Sequence, residues 1–156
     1  MLSSDELIYN ILIEAQKHGN PILEHFHIQY PSRKIAEESN SIFVADVSSE
    51  PNTELFEATE YRDLVEVLVV TKIRDYKDAK TVIKATIHEI INIIKNNTEF
   101  DVTPIVRNIA PEYNSDFVLN KGHIMVEVLT EIENEKPQDV YDKVCSILVE
   151  DIEVEW

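Results

Sequence analysis

The sequence predicts an α+β fold: an antiparallel or mixed β-sheet of about four to five strands, packed by two to three helices. Three observations predict it. Residues 62–74, "RDLVEVLVVTKIR", form a long run rich in β-branched residues, as a half-covered strand requires. Residues 79–95 repeat apolar side chains at helical spacing, with Ala79, Val82, Ile83, Ile87, Ile90, Ile91 and Ile94 on one stripe. Further strand-like runs stand on both sides of that helix, which suits a sheet with helices on one face. The 156 residues fit a single domain spanning 1–156, with 136–156 as a C-terminal helical extension.

Taken in order, Ser3 and Glu6 have the spacing of a capping box, and Leu7, Ile8, Ile11, Leu12 and Ala15 continue one helical face. A helix over about 4–18 follows, stopped by Gly19 and Pro21. "ILEHFHIQYP" (22–31) alternates weakly and is expected as a strand. "SRKIAEESN" (32–40) reads as a loop or short helical turn. "SIFVADV" (41–47) is a short apolar run expected as a strand, and "SSEPNTELFEATEY" (48–61) is expected as a long polar connection.

In the 62–74 strand, Val65, Val67, Val69, Thr71 and Ile73 share the face that should meet the core. Leu64, Glu66, Leu68, Val70 and Lys72 share a mixed face, partly covered or covered by another subunit. Asp78 is the expected N-cap of the helix at 79–95, and Asn97 the expected left-handed cap at its end. On that helix Lys80, Lys84, Glu89 and Lys95 lie off the stripe and are expected in solvent. "DVTPIVRNIA" (101–110) reads as a strand whose Pro104 favours an edge or bulge. "PEYNSDFVLNKG" (111–122) is a projecting connection, and "HIMVEVLTEIE" (123–133) a strand with Ile124, Val126, Val128 and Ile132 inward. "QDVYDKVCSILVED" (138–151) closes the chain as a helix, with Val140, Val144, Ile147 and Leu148 on one side.

Charge is the strongest compositional fact. Thirty acids against fourteen bases give −16 at pH 7, which repels duplex DNA and argues against sequence-specific nucleic-acid binding. No run reaches the ~18 apolar residues of a membrane span, and "MLSSDELIYN" lacks the basic region of a signal peptide. Cys145 is the single cysteine. No intrachain disulfide is possible, a cytoplasmic redox environment suffices, and a buried structural thiol is expected within its apolar helical pattern.

Chemistry-bearing motifs are few. His25 and His27 would share one face of a strand, a spacing that can start a metal site, but His18, His88 and His123 are scattered along the chain. His88–Glu89 does not open HExxH, because residue 92 is Asn. The acidic run "EIENEKPQDVYD" lacks the spacing of a calcium loop. Gly19 and Gly122 are the only glycines, so Gly-rich phosphate cradles are out of reach. No catalytic residue, metal or cofactor is assigned on this basis.

The order of a helix like "DELIYNILIEA", a strand like "SIFVADV", a polar loop running into "EYRDLVEVLVVTKI", a helix like "KDAKTVIKATIHEIINII", and closing strands like "PIVRNIAPEYN" and "GHIMVEVLTEI" resembles the tail terminator (tail-completion, minor tail) proteins of long-tailed bacteriophages. The resemblance spans about 42–131 and the preceding helix; the stretch from about residue 137 lies outside it. It implies a non-enzymatic structural virion protein, assembled in the host cytoplasm. Such a protein forms a homo-oligomeric ring, most commonly a hexamer, on the head-proximal end of the tail tube. The ring stops tube polymerisation, meets the tail tube protein and a neck or head-completion protein, and lets DNA pass through its lumen. The loops 48–61 and 111–122 are then the candidate contacts, through Glu54, Phe56, Tyr61, Glu112, Tyr113, Asp116 and Phe117. The competing expectations are another phage neck, head-closure or baseplate ring component, a small His/carboxylate metal-dependent enzyme, and an acidic monomeric binding module.

Overall fold

The computed structural model describes residues 3–31, 40–54, 58–97, 99–100, 103–112, 120–133 and 137–154. Its elements are α1 (Ser4–Lys17), a 3₁₀ turn (Leu23–His25), β1 (His27–Gln29), β2 (Ser41–Glu54), β3 (Ala58–Thr71), α2 (Tyr76–Lys95), β4 (Ile105–Glu112), β5 (Asn120–Glu133) and α3 (Pro137–Val154). The five strands form one mixed sheet in the order β1-β2-β3-β5-β4. Only β1 and β2 run parallel; the other pairs are antiparallel. The α+β class and the element order are as the sequence predicts.

Each long strand has 14 residues, about 45 Å of chain at the usual rise. β3 is central and pairs with β5 without interruption from Ala58↔Glu133 to Thr71↔Asn120. Alternation along β3 sends Val65, Val67 and Val69 to one face, where they meet Ile42 and Val44 of β2 and Ile124, Val126 and Val128 of β5. α1 adds Ile8 and Leu12, and α2 adds Ile83, Ile87, Ile90, Ile91 and Ile94, all in the same buried cluster. Burying a side chain of that size is worth about 1.5–3 kcal/mol, so this layer is the main source of stability.

Helix α2 lies tight on β5. Gly122 is buried there, and a Cβ on it would stand 2.5 Å from Ile83 Cγ2 and 3.0 Å from Ile87 Cδ1. Glycine sets how closely helix and sheet approach.

Several local details differ from expectation. Ser3 is the N-cap of α1, but its hydroxyl donates to Asp5 Oδ1 rather than accepting from the helix, so the capping box does not form. The other end follows the sequence reading: Gly19 sits at φ 83°, its N–H donates to Gln16 O, and Asn20 N–H donates to Ala15 O. That is a Schellman end. Helix α2 starts three residues early because Asp75, not Asp78, caps it, accepting from the Asp78 N–H. Its C-cap is Asn96 at φ −90°, a right-handed conformation. Glu89 is also not simply solvated, since it accepts from Asn20 Nδ2 at 2.8 Å.

The largest difference is the segment expected as a loop over 48–61. Residues up to Glu54 and from Ala58 are strand, so β2 and β3 form one long hairpin. The alternation fails there because β2 bulges between Asp46 and Ser48 and again between Pro51 and Thr53. Each extra residue flips the facing of those that follow. Likewise β4 and β5 run into the predicted 111–122 connection from both ends, to Glu112 and from Asn120. Pro104 precedes β4, which is an edge strand as expected.

Candidate functional site

No described helix covers the second face of the sheet. It is built from the other phase of the alternation: Leu64, Glu66 and Leu68 of β3 beside Glu127, Met125 and His123 of β5. Phe43 and Val70 at one end are buried, whereas Leu64, Leu68, Met125 and Leu129 are half-buried. This is the mixed face of the long strand, and partial cover is what the structure gives it.

Glu127 organises the charged part of this face. Its carboxylate is buried, and its two oxygens are each taken by one guanidinium: Arg62 Nε lies 2.6 Å from Oε1 and Arg107 Nε 2.6 Å from Oε2. Both arginines are about half exposed. The cross-strand register explains the cluster. Leu64 is opposite Glu127, Arg62 is opposite Leu129, and Arg107 of β4 is opposite Met125. All three charged side chains therefore point to the same side, from three adjacent strands. Ser48, Glu50 and Leu64 complete a shallow cleft with them. Burial of one acid between two bases is a geometry that holds strand positions; a buried pair gains little net stability over an apolar replacement.

The opposite face carries a second polar knot, at the edge of the core. Asp63 is buried and accepts from Ser4 Oγ (2.5 Å), Ser49 Oγ (2.5 Å) and Thr130 Oγ1 (3.0 Å). One carboxylate thereby ties the start of α1 to β2, β3 and β5. Asp46 on the same face has its carboxyl pushed above the usual range by burial, with the charges of Asp5 and Asp63 adding to it.

The predicted contact residues fall unevenly. Tyr61 is half-buried on β3, paired between Pro51 and Thr130. Glu54 ends β2 and Glu112 ends β4, so both sit on strands rather than loops. Phe56, Tyr113, Asp116 and Phe117 lie outside the described residues. The pairing of His25 and His27 on one strand face is not realised. His25 belongs to the 3₁₀ turn and approaches Glu24 at 3.6 Å, while β1 begins only at His27. Among the described residues no group of three His, Cys, Asp or Glu is placed to hold a metal ion.

Helix α3 is the other unusual surface. It forms as predicted, but its described apolar side chains are not in the core. Tyr141, Val144, Ile147, Leu148 and Val149 are 47–66% exposed. Cys145, expected as a buried thiol, is only half-buried there, and the side chain of Val140 lies outside the described residues.

Sequence reasoning did not find the Arg62–Glu127–Arg107 cluster or the Asp63 knot, because both depend on register. The available signal was an acid set within each apolar strand run, Glu127 in "MVEVL" and Asp63 in "RDLVEV", where Glu66 is a second. A scan against protein-family models matches no family, and a comparison with curated proteins gives no match.

Proposed function

We propose that this chain is a ring-forming structural protein of a bacteriophage virion, the terminator that caps the head-proximal end of the tail tube. The observation that carries the proposal is the one-sided sheet. Two helices cover one face, while the other presents half-buried Leu64, Leu68, Met125 and Leu129 around a charged cluster. Apolar residues left half-covered beside a satisfied polar cluster are the makings of a subunit interface. The long β2–β3 hairpin supports the same reading. Among the described residues the hydrophobic cluster ends at Val65 on β3 and Val128 on β5, yet the strands run on to Ala58 and Glu133. The sheet thus continues past its own core as an arm that can reach a neighbour.

The net charge of −16 supports passage of DNA without retention, since a carboxylate-lined lumen repels phosphates. A ring needs two different surfaces on each subunit that meet head to tail, and the helical and open faces of this fold are different surfaces.

The test is a capping assay. The purified chain is added to a polymerising phage tail tube protein, taken from the same genome where one is found there, and tube length is read by electron microscopy. Light scattering after size exclusion gives the mass in parallel; six copies of the 18.0 kDa chain make about 108 kDa. Tubes that stop growing with this chain bound at one end support the proposal. Tubes that grow unchecked, with no chain bound, refute it.

A further inference from the structure

Among the described residues two apolar surfaces are only partly covered, and they fit each other. The open sheet face offers half-buried Leu64, Leu68, Met125 and Leu129. Helix α3 offers Tyr141, Val144, Ile147, Leu148 and Val149, all more exposed than covered or nearly so. On a helix, 141, 144, 145 and 148 follow the i, i+3, i+4, i+7 pattern of a single stripe, and such a stripe needs a partner surface. We infer that α3 of one copy packs on the open sheet face of a second copy and supplies a third layer, which no described helix of the same chain provides.

Dimensions, placement and charge point to this occupant. At 18 residues, α3 is about 27 Å long, and it fits along strands of about 45 Å. Its point of departure favours a neighbour. Glu133, the last residue of β5, pairs with Ala58 at the far end of the sheet, and α3 begins at Pro137. The helix is therefore rooted on the arm, beyond the core, and its apolar stripe is exposed rather than turned onto its own sheet.

Charge narrows the choice further. Residues 137–154 hold five acids (Asp139, Asp142, Glu150, Asp151, Glu153) and one base, Lys143. An acidic helix is repelled by most of a chain carrying −16. The cleft on the open face is an exception. Arg62 and Arg107 there offset Glu127 and the rim residue Glu50, with Glu66 on the same face, so repulsion of the acidic flank is weakest where the two half-exposed guanidinium groups stand. Helix on sheet joins unlike surfaces, a head-to-tail contact that propagates around a ring. The inference rests on the ring reading in needing a second copy, and it adds which element makes the contact.

The single cysteine makes the test direct, because Cys145 lies on α3. Leu68→Cys places a second thiol on the open face, and a short bismaleimide joins the two if the helix covers the sheet. The expected product is a ladder of covalent oligomers at multiples of the chain mass, absent in Leu68→Cys/Cys145→Ser. The ladder should also disappear in Ile147→Lys/Leu148→Lys, whose helical circular dichroism is unchanged because both residues are exposed. A monomer cross-linked only to itself would overturn the proposal, since α3 would then cover its own sheet. No cross-link at any concentration would overturn it too. Deleting residues 137–156 separates the two readings. If the shortened chain still forms the ring and caps the tube, the helix contact is refuted while the terminator function stands.

Discussion

Gly122→Ala tests how the helical layer is seated on the sheet. The added Cβ would come within 2.5 Å of Ile83 Cγ2, about 1 Å inside the ~3.5 Å at which two carbons rest. Cγ2 is one of the two branches on an isoleucine Cβ, and in a helix that torsion has essentially one setting. The methyl cannot swing aside, so α2 must move away from β5. That movement loosens Ile87, Ile90 and Ile94, which pack from the same helix into the same cluster. Overpacking of this kind costs about 1–3 kcal/mol. Replacing a strand glycine returns about 0.4–1 kcal/mol through the unfolded chain. The net expectation is a loss of about 1–2 kcal/mol, which urea denaturation reads as a midpoint lowered by roughly 0.5–1 M at an m-value near 2 kcal/mol/M. Two second-site variants sharpen the test. Ile83→Leu moves the branch away from Cβ and removes Cγ2, so it should recover part of the loss. Ile83→Val keeps both Cβ branches and should recover none. An unchanged midpoint for Gly122→Ala, or equal rescue by Leu and Val, would refute the close approach as the reason for glycine.

Three further outcomes follow from the polar clusters. Asp63→Ala should lower stability by about 2–3 kcal/mol, measured in urea, because Ser4 Oγ is left buried without its acceptor while Ser49 and Thr130 regain water; Asp63→Asn should lose less. Glu127→Gln should cost about 1–3 kcal/mol, below the usual figure for breaking a buried pair because both guanidinium groups are half exposed. Added salt should narrow that gap as it screens the two arginines from each other. Asp46→Asn should raise the melting temperature at neutral pH. The Asp46 carboxyl is held above its usual value by burial and by Asp5 and Asp63, so the folded state binds its proton more tightly than the unfolded one. Its charge therefore disfavours folding at neutral pH, and this penalty fades as pH falls through the raised value. The advantage of the variant should be gone below about pH 3.9, the ordinary aspartate value; a constant difference across that range would count against this account.

The fold was legible wherever periodicity was clean. The stripe of α2 and the alternation of β3 led to the right faces, and all seven stripe residues of α2 are buried or half-buried. Boundaries were less legible, since Asp75 and Asp78 are equally good caps by composition and only the backbone decides between them. The hairpin beyond Val47 read as a loop because two bulges break the alternation and Pro51 falls between them. The site was least legible. Glu127 is 65 residues from Arg62 in the chain, and strand register alone brings them together. The exposure of α3 could not be read from its own pattern, since a stripe shows that a helix has an apolar side without showing what lies against it.

The two bulges of β2 have a consequence for solubility. Beyond the three residues paired with β1, the outer edge of β2 carries no described strand, the kind of edge along which copies can zip into fibrils. Extra residues at Val47 and Asn52 kink that edge, and Pro51 offers no N–H. Lateral, open-ended growth along that edge is thereby discouraged, so the chain should stay free of fibrils at concentrations where a flat, unbroken edge of the same length would pair.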